Sequence, residues 1–160
     1  GAKFGKTAAG TLSAPNTLKA KESGLNLLVD IGKLNIPGLQ VAYGTTEKYL
    51  KNNPNTVYAF LKAIAEGVVL SRKDAAVAKK AISKYAKIED APTVDGTYDA
   101  FAPYWAMSLA FRPEAIRAQF DYLDEKEFPN VKNADPREFF DNSFDSALEK
   151  SGFLQKIGMK

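Results

Sequence analysis

The sequence predicts an α/β fold that is rich in helix, on the strength of two observations. First, the opening 45 residues hold three short apolar runs bounded by turn-forming residues, as β-strands usually are: residues 7–12, 25–29 and 39–43. Second, from Thr46 onward apolar residues recur at spacings of three and four, which is the period of amphipathic helices. The strand, helix and strand at the start indicate a parallel βαβ unit.

A short helix is predicted between the first two strands. Ser13 suits the N-cap, and Pro15 suits the first turn, where its missing N–H is not needed. Gly24 suits the C-cap, so we expect the helix to end there.

Six further helices are predicted. Asn53 and Pro54 open the first and Asp74 caps the second. The third covers residues 98–111 with an interruption at Pro103, the fourth covers 113–128, the fifth opens at 135–136, and the sixth covers 143–150. The residues expected to face the core are Val57, Phe60, Leu61, Ile64, Val68, Val77, Ala78, Ala81, Ile82, Tyr85, Ile116, Phe120 and Leu123.

Composition places the chain among globular proteins of one ordinary domain. It has 160 residues, of which 45% are hydrophobic and 26% are charged, both close to the globular average. Its net charge of +3 is too small to indicate a nucleic-acid partner.

The absence of histidine and cysteine excludes several kinds of site. Without them there is no thiol nucleophile, zinc-thiolate site, iron–sulfur cluster or disulfide within the chain, and the commonest general base is missing. An acid–base enzyme would need perturbed Asp, Glu, Lys or Tyr groups, and no pair of them stands out. No catalytic residue, metal or cofactor is therefore predicted.

The turn before the first helix is the best candidate for binding a ligand. Backbone N–H groups and the positive end of the helix dipole gather at such a turn and favour anions. The predicted contacts are Ser13, Pro15, Asn16 and Thr17. A purely structural role for Ser13, as a helix cap, is an equal alternative and is compatible with ligand contact.

Two other clusters are better explained by structure than by chemistry. The aromatic residues of the third helix have helical spacing and are expected to pack in the core: Tyr98, Phe101, Tyr104 and Trp105. The acidic residues of the fourth helix are expected to form its solvated face: Asp121, Asp124, Glu125 and Glu127.

Three segments together resemble the substrate-binding proteins of ABC importers, in the branch that handles nitrate, sulfonates, taurine and thiamine-pyrimidine precursors. The first is GTLSAPNTLKAKESGLNLLVDIGKL, residues 10–34. The second carries Thr46, Tyr49, Leu50, Asn53, Pro54, Val57, Phe60, Leu61 and Ala63. The third carries Phe139, Asp141, Asn142, Ser143, Phe144, Leu148, Ser151, Gly152 and Phe153. They occur in the family's order and cover nearly the whole chain.

The resemblance implies the C-terminal half of a type II periplasmic-binding-protein clamshell, which is a two-lobed α/β fold. Residues 1–29 would be a remnant of the second lobe, and residues 30–160 would return to the first lobe and end in the C-terminal helices. The chain would then be a fragment or a shortened member. Sheet edges left without neighbours would favour a homodimer formed by edge pairing or domain swapping.

The function that the resemblance implies is non-catalytic binding of a small polar or anionic solute for import. The partners would be that solute and the membrane permease, and the location would be periplasmic or extracellular with a lipid anchor. Residues 1–10 contain no signal peptide, and no apolar run approaches the ~20 residues of a transmembrane helix. Two alternatives stay open: an enzyme like the thiamine-pyrimidine-precursor synthases, and a helical interaction or assembly module.

Overall fold

Every regular element in the computed structural model is a helix, within the residues that the structure describes: 5–34, 36, 38–39 and 41–159. About 60% of the protein is helical, and the described residues contain no strand. The predicted α/β clamshell is therefore wrong, and the architecture is all-helical. This correction also removes the basis for assigning residues 1–29 and 30–160 to two lobes.

The strand predictions fail because the apolar runs have no neighbour to pair with. Residues 7–12, 25–29 and 41–43 lie in segments without regular structure, while Gln40 of the third run lies outside the described residues. A strand is stable only when its backbone N–H and C=O groups bond to another strand. Apolar composition and β-propensity cannot supply that partner.

Eight α-helices follow one another along the chain. They are α1 (Asn16–Glu22), α2 (Glu47–Asn52), α3 (Pro54–Lys73), α4 (Ala75–Ala86), α5 (Ala91–Phe101), α6 (Pro113–Phe120), α7 (Ser143–Lys150) and α8 (Phe153–Ile157), counted over the described residues. Short 3₁₀ helices cover Ile31–Leu34, Ala102–Tyr104, Val131–Asn133 and Pro136–Phe139.

Side-chain caps begin several of these helices, as the sequence indicates. The Asp74 carboxylate accepts hydrogen bonds from the N–H groups of Ala76 and Val77, at 3.0 and 3.1 Å, so its predicted role is confirmed. The start of α3 at Pro54 and the bounds of α7 are confirmed as well. Local chemistry suffices here because a cap bonds to a residue two or three positions away.

Of the two predictions for the ends of α1, the one for its start is wrong and the one for its end is confirmed. Ser13 is not its N-cap, because Pro15 occupies that position and the helix begins at Asn16. The predicted stop at Gly24 is confirmed: this glycine has φ +81° and donates its N–H to the Lys21 carbonyl. The N–H of Leu25 bonds back to Ala20 at 3.0 Å, which completes a Schellman motif.

Two predicted helices are shorter than expected. The region 98–111 is helical only to Phe101, where α5 gives way to a 3₁₀ turn, and α6 ends at Phe120 rather than near residue 128. Five residues expected in the core are exposed instead: Phe60 (44%), Val77 (41%), Ala81, Tyr85 (77%) and Leu123 (36%). The predicted faces are nevertheless buried in part, since Ala78, Ile116 and Phe120 are buried as expected.

The chain forms two compact units, which we describe separately. The first unit comprises Gly1–Asp30 and Gly67–Ala106. There α4 packs against α5, and the buried side chains include Ala78, Ile88 and Val94. The buried Thr97 hydroxyl donates to the Thr93 carbonyl at 2.6 Å, so this core contains a satisfied polar group.

The second unit comprises Ile31–Glu66 and Met107–Lys160. Its core draws on α6, α7 and α8, and Leu148 and Leu154 are fully buried. Aromatic pairs add to this core: Phe111 stacks on Phe140 at 5.8 Å, and Phe120 meets Phe139 edge to face at 5.0 Å.

Candidate functional site

The predicted ligand-binding turn lies at the start of α1. Ser13 and Asn16 are exposed, whereas Pro15 and Thr17 are half-buried. Pro15 follows a cis peptide bond and leads directly into the helix. Within the described part of the chain, the side chains of Ser13, Asn16 and Thr17 make no hydrogen bond, so all three can reach a solute.

The backbone of this turn has less to offer an anion than the sequence indicates. The N–H of Thr17 donates to the Ser13 carbonyl at 3.2 Å, and the N–H of Leu18 donates to the Pro15 carbonyl at 3.1 Å. At an ordinary helix start both groups would lack an intrahelical partner. A solute would therefore meet mainly the hydroxyl and amide groups of the side chains.

Helix α5 holds α1 in place within the first unit. Gly96 lies so close to α1 that a Cβ at this position would come within 2.7 Å of the Leu18 Cδ1 atom.

Hydrogen bonds from the hydroxyl and N–H of Thr93 lower the pKa of the Asp90 carboxyl, and the charge of Lys19 lowers it further. Lys19 therefore lies in the field of an ionised cap at the start of α5.

A groove of about 400 Å³ lies in the second unit, and the sequence reasoning missed it. Its lining consists of Pro113, Glu114, Arg117, Ala118, Asp121 and Pro136. The first five recur along α6 and just beyond it at spacings of one, three and four, which is the signal that could have identified a shared helix face.

Arg117 has a structural role in this groove. Its guanidinium donates to the carbonyls of Lys132 and Ala134, the second at 2.7 Å, and lies 5.4 Å from the Phe120 ring centre. These bonds hold the segment around the 3₁₀ helix Val131–Asn133 against α6. The groove therefore offers the carboxylates of Glu114 and Asp121 beside Pro113 and Pro136.

The aromatic and acidic clusters that were expected to be structural both make contacts within the protein. Tyr98 meets Trp105 edge to face at 5.7 Å, although Tyr104, predicted to pack with them, is 54% exposed. The predicted acidic helix face lies instead in turns after α6, where Asp124 accepts the N–H of Lys126 at 2.9 Å. Glu125 lies 3.7 Å from Lys132 in an exposed ion pair.

The described residues contain no group of three or more His, Cys, Asp or Glu side chains placed to hold a metal ion. None of the helices among them has both the length and the apolar character needed to span a membrane.

Comparison with known proteins adds no relative. No model of a known protein family matches the chain, and neither a curated protein nor a solved structure matches it.

Proposed function

We propose that this chain is a solute-binding component of an ABC importer that recognises a small polar or anionic solute without transforming it. The observation that carries the proposal is the three-part resemblance at residues 10–34, 46–63 and 139–153. The proposal is based on these three segments and on their local structure, and not on the helical architecture.

The polar residues in the second and third segments are used at helix boundaries. The Thr46 hydroxyl accepts the Tyr49 N–H at 3.1 Å and so caps α2. The Ser151 hydroxyl donates to the Leu148 carbonyl at 2.7 Å, beside Gly152 with φ +73°, where the chain turns from α7 into α8. Side chains committed in this way stabilise the protein and leave recognition to other residues.

Recognition is assigned to Ser13, Pro15, Asn16 and Thr17. The side chains of Ser13, Asn16 and Thr17 supply two hydroxyls and one amide, which can donate hydrogen bonds to the oxygens of nitrate or a sulfonate. The Pro15 ring restricts the turn that carries them. Import would require the membrane permease as partner, with the protein in the periplasm or lipid-anchored outside the cell.

The experiment is isothermal titration calorimetry with nitrate, taurine, an alkanesulfonate and an aminopyrimidine. We expect saturable binding of one of these solutes, and at least a tenfold loss of affinity in the variant S13A/N16A, equivalent to about 1.4 kcal/mol. The matched control is S146A/N133A, which removes an exposed serine and an exposed asparagine elsewhere. The proposal would be contradicted if none of the four solutes bound, or if both variants lost affinity equally.

Mass spectrometry of the recovered solute separates binding from catalysis. An unchanged mass is expected. A changed mass would favour the enzymatic alternative, although the related precursor synthases rely on histidine and cysteine, which this chain lacks.

A second candidate, a module for assembly, is favoured by one specific observation. The side chains of Leu27, Leu28 and Val29 are 72%, 75% and 57% exposed, which is unusual for consecutive large apolar residues.

A further inference from the structure

One side of α4, which we call the outer face, is exposed to solvent. It consists of Val77, Lys80, Ala81, Lys84 and Tyr85, all of which are exposed. Their spacings of one, three and four residues place them on the same side of the helix. Helix α5 packs against another side of α4, on which Ala78 is buried. The outer face is therefore a helix face that the protein leaves uncovered.

The charge of the outer face is positive. Helix α4 contains three lysines and no acidic residue. The Lys79 ammonium lies 2.9 Å from a carboxylate oxygen of Asp95 in α5, so its charge is offset within the protein. Among the described residues, neither Lys80 nor Lys84 forms an ion pair. These two charges are therefore available to an external partner of opposite charge.

Two further lysines extend the positive charge beyond both ends of α4. Lys73 is the last residue of α3, Lys87 follows α4, and both are exposed. The carboxylates in this stretch are those of Asp74, which caps α4 through two backbone N–H groups, and Glu89. Residues 73–89 thus carry five lysines against two carboxylates. The positive charge is spread along the helix, which suits a surface with many negative charges better than a single anion.

Apolar side chains lie among these lysines. Val77 is 41% exposed and Tyr85 is 77% exposed. The Lys84 ammonium lies 5.1 Å from the centre of the Tyr85 ring. An exposed tyrosine beside lysines is typical of helices that lie at a membrane interface, where the ring enters the headgroup region and the ammonium stays at its polar edge.

We propose that the outer face of α4 adsorbs to an anionic lipid bilayer, with Lys80 and Lys84 on the lipid phosphates and Tyr85 among the headgroups. Each lysine near an anionic bilayer adds to the attraction. A nucleic acid would place its charged phosphates against Val77 and Ala81, so the apolar residues favour a lipid surface. The face is small and carries few large apolar residues, so the binding is reversible and weakens with salt. This inference goes beyond solute binding and does not depend on it.

Co-sedimentation with lipid vesicles tests the adsorption. We expect the protein to bind vesicles of equal parts phosphatidylglycerol and phosphatidylcholine, to bind vesicles of phosphatidylcholine alone much less, and to dissociate as salt is added. The variant K80Q/K84Q should lower the partition coefficient at least tenfold. The matched control K48Q/K51Q removes two exposed lysines of α2, so it has the same net charge and should lower the coefficient less than about twofold.

Two checks accompany this measurement. Circular dichroism confirms that the helices of both variants are intact. The variant Y85S should also weaken binding, because it removes the aromatic ring and keeps every charge. The proposal would be overturned by no binding to the anionic vesicles, by equal binding to the neutral ones, or by equal losses in the two lysine variants.

A fluorophore locates the face that meets the lipid. Because the chain has no cysteine, a single introduced cysteine can carry an environment-sensitive dye. The emission of labelled A81C should rise and shift to the blue with anionic vesicles, whereas labelled S146C, on an exposed position of α7, should change little. An equal response from both positions would contradict the assigned face. Binding of polyglutamate or duplex DNA through Lys80 and Lys84, without binding to vesicles, would replace the lipid by another polyanion and overturn the proposal.

Discussion

Asn142 links two distant parts of the chain with its side-chain amide. Its Oδ1 atom accepts the Phe111 N–H at 2.9 Å, and its Nδ2 atom donates to the Phe111 carbonyl at 3.0 Å. The amide therefore bonds to both backbone groups of Phe111, as a neighbouring strand would. Asn142 directly precedes α7 without capping it, because its side chain is committed to Phe111.

Replacing Asn142 by alanine should reduce the free energy of unfolding by about 1–3 kcal/mol. The cost arises because both partly buried backbone groups of Phe111 lose their partner. Chemical denaturation measures the loss. The control N133A removes an exposed asparagine whose side chain makes no described hydrogen bond, and it should change stability by less than about 0.5 kcal/mol. Equal effects would contradict the role of Asn142.

Asp135 carries the largest resolved electrostatic perturbation among the described residues. The Arg137 guanidinium donates to it at 2.7 Å and the Arg137 N–H at 2.9 Å, and these hydrogen bonds lower the pKa of the Asp135 carboxyl to about 2. The charge of Arg117 contributes to the same effect. The same carboxylate begins the 3₁₀ helix Pro136–Phe139, so one group serves both as cap and as ion-pair partner.

Stability should depend on this carboxyl in acid. Its folded pKa lies below the ordinary value of 3.8, so its contribution is complete above about pH 4 and is lost as the pH falls through about 2. A carbon-detected NMR titration should show an apparent pKa of about 2 for Asp135, and R137Q should move it back toward 3.8. D135N should remove part of the acid loss of stability. A titration near 3.8 in the unsubstituted protein would contradict this assignment.

Among the elements, α1 depends most on one close approach. It has seven residues and buries none of them completely. Isolated helices of this length are unstable in water, so its packing against α5 has to support it. The contact depends on Gly96, since a larger residue would displace the Leu18 side chain.

Gly96→Val should therefore destabilise the protein by about 1–3 kcal/mol through overpacking, and L18A in the same chain should recover part of that loss. A double-mutant cycle measured by chemical denaturation isolates the coupling. Gly67→Val in α3 is the control, because a Cβ there has nothing within 4 Å. Additive effects of G96V and L18A would mean that the two residues do not support α1 together.

At the scale of the whole molecule, buried apolar residues are concentrated in the helices while several apolar segments are exposed. The buried apolar residues belong mainly to α3 to α8, whereas Leu27, Ile31 and Val41 are more than half exposed. The buried helical surfaces therefore account for most of the hydrophobic stabilisation.

Far-ultraviolet circular dichroism of a dilute solution should show a helical spectrum corresponding to about 60% helix. The helices carry caps and buried faces of their own, so dilution should not remove them. A spectrum dominated by β-sheet would contradict the helical architecture.

Features that depend on near neighbours could be predicted from the sequence. Asp74 as a cap, Pro54 as the start of α3 and Gly24 as the end of α1 each follow from contacts within a few residues, so their chemistry is readable locally. For the candidate site, the turn from Ser13 to Thr17 was identified from the sequence, and its role in binding stays a prediction.

Which segments find partners depends on the three-dimensional fold and could not be predicted locally. Residues 25–29 have the composition of a strand but no neighbour to bond with, and Tyr85 has helical spacing but faces solvent. Arg117 shows the reverse case: its bonds to Lys132 and Ala134 join residues that no local pattern connects. Propensity acts along the chain, whereas strand pairing and burial require a second surface that the fold must bring close.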